Sequence, residues 1–205
     1  LSAVQMDQLA AVVGTELAER LGTWISRDED RQKYVALIGT LLGEASPRYD
    51  ITFRFVLIDD PKPNSFSAPG GIVIITTGLL DICGDEAEFA SILAHEISHT
   101  VLQHGQRTQE NVAKAVGGDM MADFQDLEAH TKTPSQLEEA EKQLATMAEW
   151  FLSVTLMRER RMKEETEADR MALYLLARCG YEPEGLLRVV RRVGERSSNK
   201  AFEMR

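Results

Sequence analysis

The chain has 205 residues, 43% of them hydrophobic and 27% charged. That is enough for one well-cored domain, and the composition excludes a disordered or collagen-like chain. Asp plus Glu is 33 against 23 Lys plus Arg, a formal charge of −10, so the basic footprint of a nucleic-acid binder is missing. The longest apolar stretch, around Gly71 to Leu80, is interrupted by Thr76, Thr77 and Gly78 and is far short of a bilayer span, so no transmembrane segment is expected. Cys83 and Cys179 are too few for a disulfide framework; they can form one bridge or stay free, and free, buried thiols are expected.

Leu1 to Leu21 places apolar residues at amphipathic-helix spacing, and Asp30 to Leu42 repeats the pattern until Pro47 stops it. Ile51 to Ile58 is rich in β-formers and reads as a strand. A Pro-containing loop follows, then the turn Pro69-Gly70-Gly71 and a second, β-branched strand, Ile72 to Thr77. Asp85 with Glu88 three residues on forms a capping box for a helix reaching about His104. Gly117-Gly118 marks a break, and Ser135 with Glu138 is a second capping box. From there to Cys179 there is neither Gly nor Pro, and a break is expected across Arg158 to Lys163. Gly180 suits a C-terminal cap, and Pro183 can start a last helix. Helices, two or more strands, then mostly helices make an α+β layout dominated by helix.

The chemistry concentrates in His95-Glu96-Ile97-Ser98-His99, an HExxH on a predicted helix. Four residues advance a helix by about 6 Å along one face, so two imidazoles can reach one tetrahedral zinc ion. Glu96, beside the first ligand, can take a proton from a water that the metal has acidified. HExxH alone also occurs on helices that merely carry two surface histidines. Here Ile92, Leu93, Ile97 and Val101 mark the helix as buried, where two His and a Glu are costly without a metal.

A catalytic zinc needs a third protein ligand. The position six residues beyond His99 is Gly105, so a third His there is ruled out. Glu164-Glu165-Thr166-Glu167-Ala168-Asp169 offers a Glu instead. Glu165 and Asp169 share one helical face, so Glu165 can bind the metal while Asp169 fixes the tautomer of a ligand His. Glu164 and Glu167 are rotated off that face, toward solvent or behind the ligands. Without the HExxH the same residues read better as an acidic helix surface.

These two segments resemble the signatures of the gluzincin zinc metallopeptidases related to HtpX and the CAAX prenyl protease, the soluble cell-envelope branch in particular. Asn64-Ser65-Phe66-Ser67-Ala68-Pro69-Gly70-Gly71, the strand after it and Gly78-Leu79-Leu80 resemble a third family pattern, with Ser65 in place of the usual Ala. Gly180-Tyr181-Glu182-Pro183 resembles the Gly-Tyr-Asp-Pro that follows the third-ligand helix. The likeness covers roughly residues 30 to 193.

The resemblance implies a predominantly helical, zincin-type α+β domain with a small sheet whose edge strand lies over the active-site helix. It implies one Zn²⁺ per chain held by His95, His99 and Glu165, with Glu96 as general base and Asp169 behind a ligand. It also places the strand from Ile72 at the sheet edge, making Gly71, Ile72, Val73 and Ile74 the candidate substrate-binding backbone through β-augmentation. The implied domain spans 1–205: N-terminal helices in 1–45, a sheet region in 51–77, the site helix in 85–104, a helical insert or cover in 106–160, the third-ligand helix in 164–179 and a last helix in 183–196. Expected substrates are extended or unfolded proteins, and the expected location is the bacterial envelope, in the periplasm. Family members carry a further segment, often with Thr-His-Pro; these 205 residues hold no His beyond His130.

Tyr174 and Tyr181 are candidate transition-state donors, with core packing as their other role. His104 suits either support of a ligand or a helix-end cap. Methionines and aromatics in 106–150 suit a core or cover, or an adaptable surface for unfolded chains. The rival functions are a latent peptidase, a chaperone or assembly factor that retains zinc, and a small-substrate amidase.

Overall fold

A computed structural model describes residues 25–68, 71–104 and 162–203. The helix expected over Leu1 to Leu21, the Gly117-Gly118 break, the Ser135–Glu138 capping box and the methionine-rich stretch lie outside the described residues. So does most of the break expected across Arg158 to Lys163; Met162 and Lys163 are helical.

Helix α1 covers Glu29–Glu44. Asp28 caps it by accepting from the Arg31 N–H (3.0 Å), and Val35, Ile38 and Leu42 form its buried stripe. Strands β1 (Arg54–Ile58), β2 (Ser65–Ala68) and β3 (Ile72–Thr76) form one sheet in the order β1-β3-β2. β1 runs parallel to β3, with Arg54 opposite Ile72; β2 runs antiparallel to it, with Ser65 opposite Ile75. Gly71 turns the chain into β3 at φ 79°, a conformation open to glycine at no steric cost.

β2 is short and polar at alternate positions, and its residues carry no expected element between the proline loop and the turn. β3 ends one residue before its expected limit, because the Thr76 hydroxyl accepts from the Leu79 N–H (3.2 Å) and caps a short helix α2, Thr77–Ile82. Helix α3, Glu86–Val101, follows its N-cap Asp85, which accepts from the Glu88 N–H (2.8 Å). The Glu88 carboxylate completes a variant of the capping box by accepting from the Gly84 N–H (2.7 Å). Helix α4, Met162–Cys179, ends at Gly180 with φ 76°, where the Tyr181 N–H reaches Leu176 O (2.9 Å). Helix α5 spans Glu184–Glu203. The two cysteines are free, and both are partly rather than fully buried.

α3 is the centre of the core. Phe89, Ile92, Leu93 and Ile97 pack with Ala172, Leu175 and Leu176 of α4, Val35, Ile38 and Leu42 of α1, and the sheet. Small residues, Ala168 and Ala172, let α4 lie close to α3. α5 crosses the start of α3 at Gly185, where an added Cβ would sit 2.6 Å from Ala87 O. Arg192 grips the buried Glu88 through both nitrogens (3.0 and 3.1 Å), and Arg188 joins Asp85 (2.9 Å) and Glu182 (3.1 Å). No described helix is long and apolar enough to cross a membrane.

The strand from Ile72 is not the edge strand. β3 is central, paired on both sides, and all five of its side chains are buried. The outer side of β1 is covered: Gln32 accepts from the Leu57 N–H and donates to Phe55 O (both 2.9 Å), and the Ser26 N–H donates to Leu57 O (2.9 Å). The outer strand over α3 is β2. The backbone of Gly71, Ile72, Val73 and Ile74 is therefore taken up within the sheet. Recognising this needed β2, which a four-residue strand with two serines does not announce.

Gly185→Ala should cost about 1–3 kcal/mol, because the methyl must push two packed helices apart; urea denaturation measures this, and an unchanged midpoint excludes the close crossing. The acid-side stability should follow Glu88 and Asp85. The Arg192 hydrogen bond, opposed by burial and helped by the Gly84 N–H, holds Glu88 below the usual carboxylate range. The Glu88 N–H, with Arg188, does the same for Asp85. Lowered folded-state values contribute stability that is complete above the ordinary range and lost as pH falls through them. Melting temperature should drop on acidification below that range, and Glu88→Gln should flatten this dependence.

Candidate metal centre

The helical repeat puts His95 and His99 on one face of α3, one turn apart, with Glu96 on the adjacent face. α4 lies alongside and brings Glu165 and Asp169, also one turn apart, to the same place. His95 Nε2 and His99 Nε2 are 3.0 Å apart. Glu165 Oε2 is 3.3 Å from the first and Glu165 Oε1 is 3.4 Å from the second. Among the described residues this is the one group of three or more His, Cys, Asp or Glu able to share a metal ion.

These spacings fit an ion. A tetrahedral zinc with bonds of about 2.0–2.1 Å sets its ligand atoms about 3.3–3.4 Å apart. Two imidazole nitrogens with a carboxylate are also a donor set that suits first-row transition metals such as zinc. His95 Nδ1 is 2.9 Å from Asp169 Oδ1. A carboxylate only accepts, so Nδ1–H donates and the Nε2 lone pair is left facing the cluster. Burial lowers the His95 pKa, but hydrogen bonding to Glu165 and the charges of Glu96, Glu165 and Asp169 outweigh it, so the net direction is up.

Glu96 is buried, and Ser65 Oγ donates to its Oε1 (2.8 Å). Ser65 is the first residue of β2, so the strand above the helix fixes the carboxylate beside the cluster. Sequence reasoning gave Ser65 no role; its place in a motif that usually has Ala there was the available signal. His104 is also buried. Its Nδ1 is 2.9 Å from His99 Nδ1 and its Nε2 is 3.3 Å from Glu167 Oε2. His104 thus lies between His99 and Glu167.

Other candidates fall elsewhere. Glu164 is buried. The Tyr181 hydroxyl donates to Glu86 Oε1 (2.9 Å) at the first turn of α3, about 13 Å along the helix from His95. Tyr34 shares that carboxylate, and burial with the Glu86 charge pushes both phenols up to about 12. The exposed Tyr174 accepts from Arg178 (2.9 Å). Neither Tyr174 nor Tyr181 makes a hydrogen bond within the His–Glu cluster. His130 lies outside the described residues.

Residues 29–203 match the description Peptidase family M48. The chain is 28% identical to the mitochondrial metalloendopeptidase OMA1 of Arabidopsis thaliana over 145 residues, 71% of this chain and 26% of that protein. It is 25% identical to the beta-barrel assembly-enhancing protease of Escherichia coli K12 over 155 residues, 75% of this chain and 31% of that protein. It is 29% identical to OMA1 of Saccharomyces cerevisiae over 145 residues, 70% of this chain and 37% of that protein. The chain thus spans about a quarter to two fifths of these relatives. With nearly its whole length matched and two histidines and a glutamate gathered between two packed helices, the chain belongs to peptidase family M48, a family of metallopeptidases.

Proposed function

We propose that this chain is a zinc endopeptidase domain in which His95, His99 and Glu165 hold one zinc ion and Glu96 is the general base. The convergence of His95 Nε2, His99 Nε2 and the Glu165 carboxylate at 3.0–3.4 Å carries the reading. Zinc bound there would supply Lewis acidity, polarising a peptide carbonyl and acidifying a water. Asp169 holds the His95 proton at Nδ1, away from the ligand nitrogen. Glu96, fixed by Ser65, takes the proton of the attacking water and returns it to the leaving amine. Burial of Glu96 and His99 limits bulk water around these transfers.

The substrate runs along β2. As the outer strand over α3, it can pair with an extended peptide and bring a scissile carbonyl to the cluster. Backbone pairing selects little by side chain, which suits unfolded or damaged proteins. The family resemblance supports a place in the bacterial envelope, in the periplasm. It also supports a single metallopeptidase domain.

Glu96→Gln should keep zinc and lose about 10²–10⁴-fold in casein cleavage. Metal analysis and turnover on the same samples check this. Equal activity in wild type and variant removes Glu96 as the base. A zinc-replete wild type that does not cleave points to a latent domain or a chaperone. In peptides of increasing length around one scissile bond, kcat/KM should rise at least about tenfold from a dipeptide to an octapeptide. A flat profile points to a small-substrate amidase.

A further inference from the structure

We propose that His104 and Glu167 form a relay that fixes His99 as a metal ligand, doing through two side chains what Asp169 does for His95 through one. The inference rests on the metal centre proposed above.

The direction of each hydrogen bond follows from its acceptor. Glu167 Oε2 lies 3.3 Å from His104 Nε2. A carboxylate accepts, so His104 carries its proton on Nε2. A neutral imidazole with Nε2–H has a bare Nδ1, and that atom lies 2.9 Å from His99 Nδ1. With both rings neutral, His99 donates from Nδ1, which leaves the His99 Nε2 lone pair toward His95 Nε2 and Glu165. Both ligand histidines are thus held with Nδ1 protonated and Nε2 available. Asp169 and Glu167, two residues apart on α4, are the two acceptors at the ends of these chains.

The backbone is bent to make this contact. α3 ends at Leu102, whose N–H donates to Ser98 O (2.9 Å), and Gln103 adopts φ 56°. A side-chain-bearing residue in that region costs about 1–2 kcal/mol. It is the only non-glycine with positive φ among the described residues. The turn places His104, five residues after His99, edge-on to the His99 ring at 5.1 Å between centroids. His104 is buried there, where an imidazole needs partners for both nitrogens.

The test is zinc affinity, measured by competition with a chromophoric chelator on the 205-residue chain. Glu167→Gln is nearly isosteric, and its amide can donate to His104 Nε2, which turns the relay over. Glu167→Gln and His104→Ala should each weaken zinc binding about 10–100-fold. The double variant should be no weaker than the worse single one, because both cut the same chain. Lys163→Ala removes the 3.8 Å ion pair of Glu167 and should leave affinity unchanged. In the zinc-free protein, ¹⁵N shifts of the His99 ring should report Nδ1–H in the wild type and lose that signature in Glu167→Gln. A Glu167→Gln protein that binds zinc as tightly as wild type, or additive losses in the double variant, overturns the relay. A wild type that binds no zinc overturns the metal centre beneath it as well.

Discussion

Three donor atoms can share one metal ion only if their lone pairs point inward and their protons outward. Side by side without such control, two imidazoles and a carboxylate would hydrogen-bond to one another and close the space between them. The fold meets this constraint by surrounding the cluster with acceptors: Asp169 behind His95, and His104 with Glu167 behind His99. The rest of the core follows from it. α4 must lie against α3 with alanines at the contact, so that the acidic residues reach across.

The sheet and α5 hold α3 from its other sides. β2 lies over the helix and reaches Glu96 through Ser65, while Arg188 and Arg192 secure the acidic N-terminus at Asp85 and Glu88. The two ends of α3 thus have separate tasks. The first turn carries capping and ion-pair contacts that anchor it, and the last two turns carry the histidines.

Much of this was legible because helices write their faces into sequence at a fixed period. His95 with His99, and Glu165 with Asp169, needed only the four-residue repeat to be placed. α1, α3, α4, β1 and β3 followed from apolar patterning and caps. Strand order did not, since it depends on pairings between segments, and a four-residue strand such as β2 is too short to show a period. The family resemblance put β3 at the edge, and its pairing with both β1 and β2 corrects that. His104 was ambiguous for a different reason: its position depends on the backbone turn at Gln103, and glutamine gives no sign of a left-handed conformation.

His95 and Asp169 are 74 residues apart in sequence, and His104 and Glu167 are 63. A metal ion held as proposed would therefore also be a cross-link between α3 and α4, closing a loop of dozens of residues. The entropy of that closure rises only slowly with length, as the logarithm of the residue number, so an insert of almost any size can be carried between the two halves.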